Sequence, residues 1–190
     1  MLFLESLARP LLIVHAIAAA VLVAATTHHL VWCRHYLRGK FHLYKGERRF
    51  AVIASSAFVL TFVVGNLLYP TYKVRVRAEY FDNPSAIAAE ARLRVQARQA
   101  VGLKTGAPTL QTGASLSTVA RAFDIKENWV ALGAAASVIL LLLSRLAHPK
   151  DHPQVMPLYL GLVMFVCATA WFGALVGLVT ASFRSVGAVT

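Results

Sequence analysis

The sequence is poor in acid, in cysteine and in charge of any kind. Of its 190 residues only 8 are Asp or Glu, 2 are Cys, and 14% are charged. A soluble domain carries about 25% charged residues, so much of this surface is not made to face water. Two cysteines exclude a disulfide-stapled scaffold. Nor do Cys33 and Cys167 make a plausible pair: one ends an apolar block and the other lies well inside another, so their depths differ by roughly 15 Å at ~1.5 Å per helical residue. Also missing are a Gly-rich phosphate loop, a Cys-x-x-Cys, a nucleophile constellation and any paired carboxylate within an apolar block. Catalysis is left without a candidate, and a chain with no catalytic activity of its own is expected.

What is present is apolar sequence in long runs. The chain is 58% hydrophobic, with a mean hydropathy of +0.62. Four blocks, about 11–32, 50–69, 129–146 and 158–183, have the length needed to cross a bilayer, which takes about 20 residues at 1.5 Å rise each. No segment alternates like a barrel strand, and a lipid-facing backbone must satisfy its own hydrogen bonds, so the spans are helices. The expected fold is an all-α membrane protein: one membrane domain over 1–190, a four-transmembrane-helix bundle, with a long, partly helical extramembrane loop at 70–128. The first block ends in His28, His29 and Trp32 rather than at a small-residue cleavage site, so it reads as a retained helix and not a signal peptide. None of the four interiors holds Asp, Glu, Lys or Arg. That argues against an ion-coupled permease, which places charge at mid-membrane.

The 19 Lys and Arg give a formal net charge of +11, but they are scattered over both ends of the spans with no nucleic-acid-binding fold around them. They read as orientation signals and lipid-headgroup contacts. The two short loops and their flank carry eight: Arg34, Arg38, Lys40, Lys45, Arg48, Arg49, Arg145 and Lys150. The other side carries seven near the membrane: Arg9, Lys73, Arg75, Arg77, Arg121, Lys126 and Arg184. The first helix breaks the near-tie, because Arg9 before it is offset by Glu5 while six positive residues follow it closely. The short loops are therefore expected in the cytoplasm of a bacterial inner (cytoplasmic) membrane, with the long loop and both termini outside.

Within the long loop, Pro70 is expected to end the second helix, and the alternation Val74-Arg75-Val76-Arg77 suggests a short extended piece. Asp82-Asn83-Pro84-Ser85 reads as a helix start, followed by good helix formers from Ala86 to Val101. Residues 102–118, rich in Gly, Thr and Ser, are expected to be irregular. Another short helix is expected from Ser117 to Asn128, leading into the third span.

Two patterns remain. Small residues recur every fourth position: Ala16, Ala20 and Ala24 in the first helix, Ala57, Thr61 and Gly65 in the second, and Thr169, Gly173, Gly177 and Ala181 in the fourth. In lipid, close backbone approach over small side chains supplies helix packing, within one bundle or between subunits. The second pattern is histidine. His28 and His29 close the first helix, and His148 and His152 follow the third, at the same end of the bundle. Neutral imidazole ligates metals and haem iron, so these four could hold a haem b or, with Asp151, a metal ion; as helix-end histidines they could equally rest in the headgroup zone. His15 lies inside the first helix near the opposite end, and an intramembrane ionisable group is a functional candidate.

The run Leu7-Ala8-Arg9-Pro10-Leu11-Leu12-Ile13-Val14-His15-Ala16-Ile17-Ala18-Ala19-Ala20, with Lys126 before the third helix and Arg145 at its end, resembles the opening of the copper-resistance D and HemJ-like membrane proteins. The likeness is confined to this apolar sequence, and the long loop has no counterpart in it. What it implies is a four-helix unit handling haem or copper, with His15 carried over. The residues themselves point first to a non-catalytic membrane subunit that packs against lipid and other membrane subunits, in a respiratory or electron-transfer assembly, and second to a haem b- or metal-binding membrane protein.

Overall fold

A computed structural model describes residues 5–102, 111–148 and 151–183, and among them the side chains of all but 90, 94 and 111–116. The described chain is helical throughout, without strands. A 3₁₀ turn, Glu5–Leu7, opens α1, Ala8–Leu37. A second, Phe41–Leu43, opens α2, Tyr44–Thr71, which continues into a π-helix, Tyr72–Phe81. Then follow α3, Pro84–Ala100, and α4, Gln111–Leu146. A third 3₁₀ turn, Pro153–Val155, opens α5, Met156–Phe183. Four helical stretches, Glu5–Leu37, Phe41–Phe81, Ser117–Leu146 and Pro153–Phe183, are long and apolar enough to cross a membrane. This is the four-helix membrane bundle expected.

The helices form a ring in which α1 and α4 each pack on both α2 and α5. Their shared core is built from Leu22, Phe58, Ala136, Leu140, Tyr159, Val163, Val166 and Ala170. Large apolar side chains also cover the outside, among them Ile17, Leu132, Leu158 and Leu178. In water so much exposed apolar surface would be an aggregation hazard; against acyl chains it is the matching solvent.

Small residues decide how closely the helices meet. A Cβ on Gly133 of α4 would lie 2.5 Å from Thr169 Cγ2 of α5 and 2.7 Å from Phe58 Cζ of α2. Three helices therefore close on one missing methyl. Thr61 is buried, and Thr169 is 2% exposed. Gly65 faces the His15 ring, and Gly173 faces Val130. Ala57, half-buried, packs against the main core. Ala16, Ala20, Ala24 and Ala181 lie instead on the exposed surface. Polar ties add to this packing: Ser55 Oγ donates to the Ser137 carbonyl at 2.7 Å between α2 and α4, and Trp171 Nε1 to Thr27 Oγ1 at 3.0 Å between α5 and α1.

The structure corrects the expected connections. Pro70 does not end α2; it sits inside it. Proline lacks the N–H that would serve the Asn66 carbonyl and its ring crowds that carbonyl. The helix tolerates this by running on into the wider π turns that start at Tyr72. Residues 74–77 are accordingly helical and not extended. Four residues of alternation cannot distinguish the two, and here Val76 is fully buried while Arg75 and Arg77 reach different partners. Arg75 binds Glu5 at 2.6 Å and Glu79 at 2.9 Å; Arg77 binds Asp82 at 2.9 Å and Asp124 at 3.0 Å. With Tyr72, Val76, Tyr80 and Phe81 packed on Val119 and Ala120, the π segment forms a second small core against the start of α4.

The short loop at 33–49 is also mostly helix, leaving only Arg38–Lys40 as the turn, where Gly39 adopts φ +68°. Residues 111–118 belong to α4, and residues 103–110 of the expected irregular stretch lie outside the described residues, as do Lys150 and Arg184. The expected start of α3 holds: Asn83 caps it, its side chain accepting from the Ala86 amide, with Pro84 in the first turn.

Candidate functional site

The best-formed polar constellation joins α1, α2 and α5 at the short-loop end. On α1 the buried stripe runs Leu22, Ala25, Thr26, His29, Cys33, Tyr36, three or four residues apart as one helix face requires. His29 falls on that stripe. On α2 the stripe runs Glu47, Ala51, Ala54, Ser55, Phe58, Thr61, so Glu47 lies one turn before Ala51 and points inward. Tyr159 occupies the first turn of α5, on the same face as Val163 and Val166.

These side chains meet. His29 Nε2 lies 3.2 Å from Glu47 Oε1 and 3.1 Å from the Tyr159 hydroxyl. Tyr36 donates its hydroxyl to Glu47 Oε2 at 3.2 Å. The four are almost sealed, with exposures of 1% for His29, 3% for Glu47, 6% for Tyr36 and 3% for Tyr159. Both carboxylate oxygens of Glu47 are used, and His29 Nε2 is shared between the carboxylate and a phenol. Buried ionisable groups are retained where such partners satisfy them. The arrangement ties three helices together around one carboxylate, and its enclosure leaves no face on which a substrate could lie.

Just above it, Arg48 turns outward. Its Nε donates to the Ser144 carbonyl at 2.7 Å and its Nη2 to the Arg145 carbonyl at 3.4 Å. A guanidinium here satisfies the open carbonyls at the C-terminus of α4 and suits the negative end of its dipole.

The other expected histidines take separate places. His28, next to His29 but about 100° round the helix, is exposed and lies against Phe50, with ring centroids 4.7 Å apart. His148 packs edge-on against Tyr44 at 4.5 Å, with Nδ1 3.7 Å from Asp151 Oδ2. It lines an open groove of about 410 Å³ with His42, Phe41, Gly39 and Tyr44. His152 is exposed. Among the described residues no group of three or more His, Cys, Asp or Glu is placed to hold a metal ion.

His15 belongs to the other end. Its ring fills the notch left by Gly65, where a Cβ would come within 3.0 Å of Cε1. It lies beside the Thr61 carbonyl and within range of the Lys126 charge, and its Nδ1 is buried with no hydrogen-bond partner.

The sequence reading misses Glu47, because the apolar block begins at Phe50 and the basic residues before it read as a loop. The signal was there: counting back four from Ala51 along the stripe Ala51, Ala54, Ser55, Phe58 lands on Glu47. Comparison of the chain with protein-family models, curated proteins and solved structures finds no match.

Proposed function

We propose that the chain is a non-catalytic packing subunit of a larger membrane assembly, holding partners against one face of its bundle. The observation that carries this reading is the division among the small-residue faces. Thr61 and Gly65 of α2 and Thr169, Gly173 and Gly177 of α5 are used between helices of the same chain. Ala16, Ala20 and Ala24 of α1 are exposed, one above another at intervals of four. They make a close-approach surface that the bundle does not use, flanked by exposed Ile13, Ile17 and Val21. In lipid, such a surface gains from another helix what it cannot gain from acyl chains. The sealed His29–Glu47 cluster suits the same role, since it fixes the helices while offering nothing to a substrate.

The membrane is a bacterial inner membrane in this reading. The basic short-loop end (Arg34, Arg38, Lys40, Lys45, Arg49) lies in the cytoplasm, and a respiratory or electron-transfer assembly is the first host to test. Native electrophoresis of mildly solubilised membranes tests the core of the proposal. The wild-type chain is expected in a band well above its own 20.6 kDa, and Ala20→Leu is expected to release it without lowering its thermal stability. A chain that migrates alone, with or without the substitution, removes the proposal. A Soret band abolished by His28→Ala or His148→Ala would replace it with a haem-binding one.

A further inference from the structure

Where α2 meets α4, the short-loop end carries an open groove of about 390 Å³ lined by Arg48, Arg49, Val52, Ile53 and Arg145. Its two walls are tied together by Arg48 of α2. That guanidinium donates to the Ser144 carbonyl at 2.7 Å and to the Arg145 carbonyl at 3.4 Å, and lies 5.2 Å from the Tyr44 ring centroid. Arg49 and Arg145 belong to opposite walls, and both are exposed. Each lies about one turn outside an exposed apolar residue on the same side of its own helix, Arg49 outside Ile53 and Arg145 outside Leu142. Both walls of the seam therefore carry charge at the membrane boundary and apolar surface directly beneath it.

The chain brings no anion to this groove. The two short connections and their flanks hold two carboxylates, Glu47 and Asp151, against eight Lys and Arg. Glu47 is enclosed with His29 and Tyr36, and Asp151 lies 3.7 Å from His148. Among the described residues neither Arg49 nor Arg145 makes an ion pair. Two guanidiniums on one groove repel each other, and an anion between them reverses the sign of that interaction. Guanidinium is weakly hydrated, and its fork matches the oxygens of a phosphate two at a time.

We infer that the seam between α2 and α4 binds one acidic phospholipid, its phosphate between Arg49 and Arg145 and an acyl chain over Val52, Ile53 and Leu142. A free phosphate uses the arginines alone, and a neutral lipid uses the apolar walls alone. Only a molecule with both parts matches charge placed one turn outside apolar surface. Arg48 contributes by position, since its bonds to α4 hold the two walls at a fixed spacing. The general attraction of a basic flank for a negative leaflet does not distinguish Arg49 and Arg145 from Arg34 and Arg38; the groove does.

Native mass spectrometry of the purified chain in a non-ionic detergent tests the site. Dioleoyl phosphatidylglycerol is titrated as the acidic lipid, with dioleoyl phosphatidylcholine as the zwitterionic control. One saturable equivalent of phosphatidylglycerol is expected, weakened about tenfold or more by Arg49→Gln combined with Arg145→Gln. Arg34→Gln combined with Arg38→Gln removes the same charge from the same end but outside the groove, and should leave binding near the wild-type level. The inference is overturned if phosphatidylglycerol does not saturate, if phosphatidylcholine binds equally well, if the Arg34 and Arg38 pair weakens binding as much as the groove pair, or if the groove pair binds like the wild type. The last result, joined to release of the chain from its high-mass band, would assign the two arginines to an acidic partner chain instead. Should the groove pair lower the thermal melt, each single substitution must weaken binding about threefold or more by itself, and its failure to do so also overturns the site.

Discussion

Replacing Glu47 by alanine removes the centre of the polar cluster and leaves its partners behind. Tyr36 loses the acceptor at 3.2 Å and His29 loses the carboxylate at 3.2 Å, both in surroundings that water does not reach. His29 keeps the Tyr159 hydroxyl at 3.1 Å, so its share is the loss of one hydrogen bond to a buried carboxylate, about 1.5–3 kcal/mol. The unpartnered phenol adds about 1–3 kcal/mol. The terms share one site and do not simply add, so about 4 kcal/mol is the expected loss for Glu47→Ala, read from reversible unfolding in mixed micelles of increasing denaturing-detergent fraction. Glu47→Gln keeps an acceptor oxygen at almost unchanged volume and should cost roughly half as much, about the worth of one charge-assisted hydrogen bond. A double-mutant cycle with His29→Ala should give a coupling of about 1–3 kcal/mol. Glu79→Ala supplies the reference: its exposed pair with Arg75 is worth about 0–1 kcal/mol. If Glu47→Ala is no worse than Glu79→Ala, or if the Glu47 and His29 losses add without coupling, the cluster does not hold α1 and α2 together and the reasoning from burial is refuted.

Three further outcomes are expected. Gly133→Ala places a methyl group against Thr169 and Phe58 and should cost about 1–3 kcal/mol by overpacking; a neutral effect in the same unfolding assay would mean that α2, α4 and α5 do not close there. Cys33 and Cys167 are both buried, at 1% and 5% exposure, and a thiol must reach solvent and ionise before it reacts. Both should stay unlabelled by a maleimide in the folded chain and react once it unfolds, so fast labelling of Cys33 would place the cluster open to solvent. Arg77→Ala removes the ties from the π segment to Asp82, to Asp124 and to the Ala120 carbonyl, the last at 3.1 Å. It should speed amide exchange over residues 72–81 while the four spans keep their protection, and unchanged exchange there would assign the hold to the Tyr72 and Val76 packing alone.

The membrane bundle was legible in the sequence because lipid imposes one crude requirement, about 20 apolar residues per crossing, and the four blocks meet it without fine detail. What lay at the margins was not legible by that measure. Hydropathy averages over a window, so a single glutamate one turn before Phe50 falls outside the block it belongs to, although the three-and-four spacing of Ala51, Ala54, Ser55 and Phe58 carries straight back to it. The same averaging hides direction. His28 and His29 look equivalent as a pair, yet one residue of rotation turns the first toward Phe50 at the surface and the second into the core. Ala16, Ala20 and Ala24 look equivalent to the glycine face of α5, and only the placement of α1 in the ring leaves them outside.

The misread connections have a different cause. Proline and a short alternation are reliable stops only where the chain is free to turn, and after Pro70 it is not. Tyr72, Val76, Tyr80 and Phe81 recur every four or five residues and bury themselves on α4, so packing keeps the segment helical and the lost α-type bonds are replaced by the wider π pattern. Tertiary contact overrides local propensity at this end, and it does so where Lys126 is turned inward over Phe123. A helix that stopped at Pro70 would leave Phe123 without its stacking partner Tyr72 and the lysine without its platform. The irregular helix and the inward lysine are thus two parts of one arrangement, and Tyr72→Ala, which takes away the ring stacked on Phe123 at 3.9 Å, should speed amide exchange both over residues 73–81 and around Phe123; unchanged exchange at Phe123 would mean that the π segment and the start of α4 hold independently.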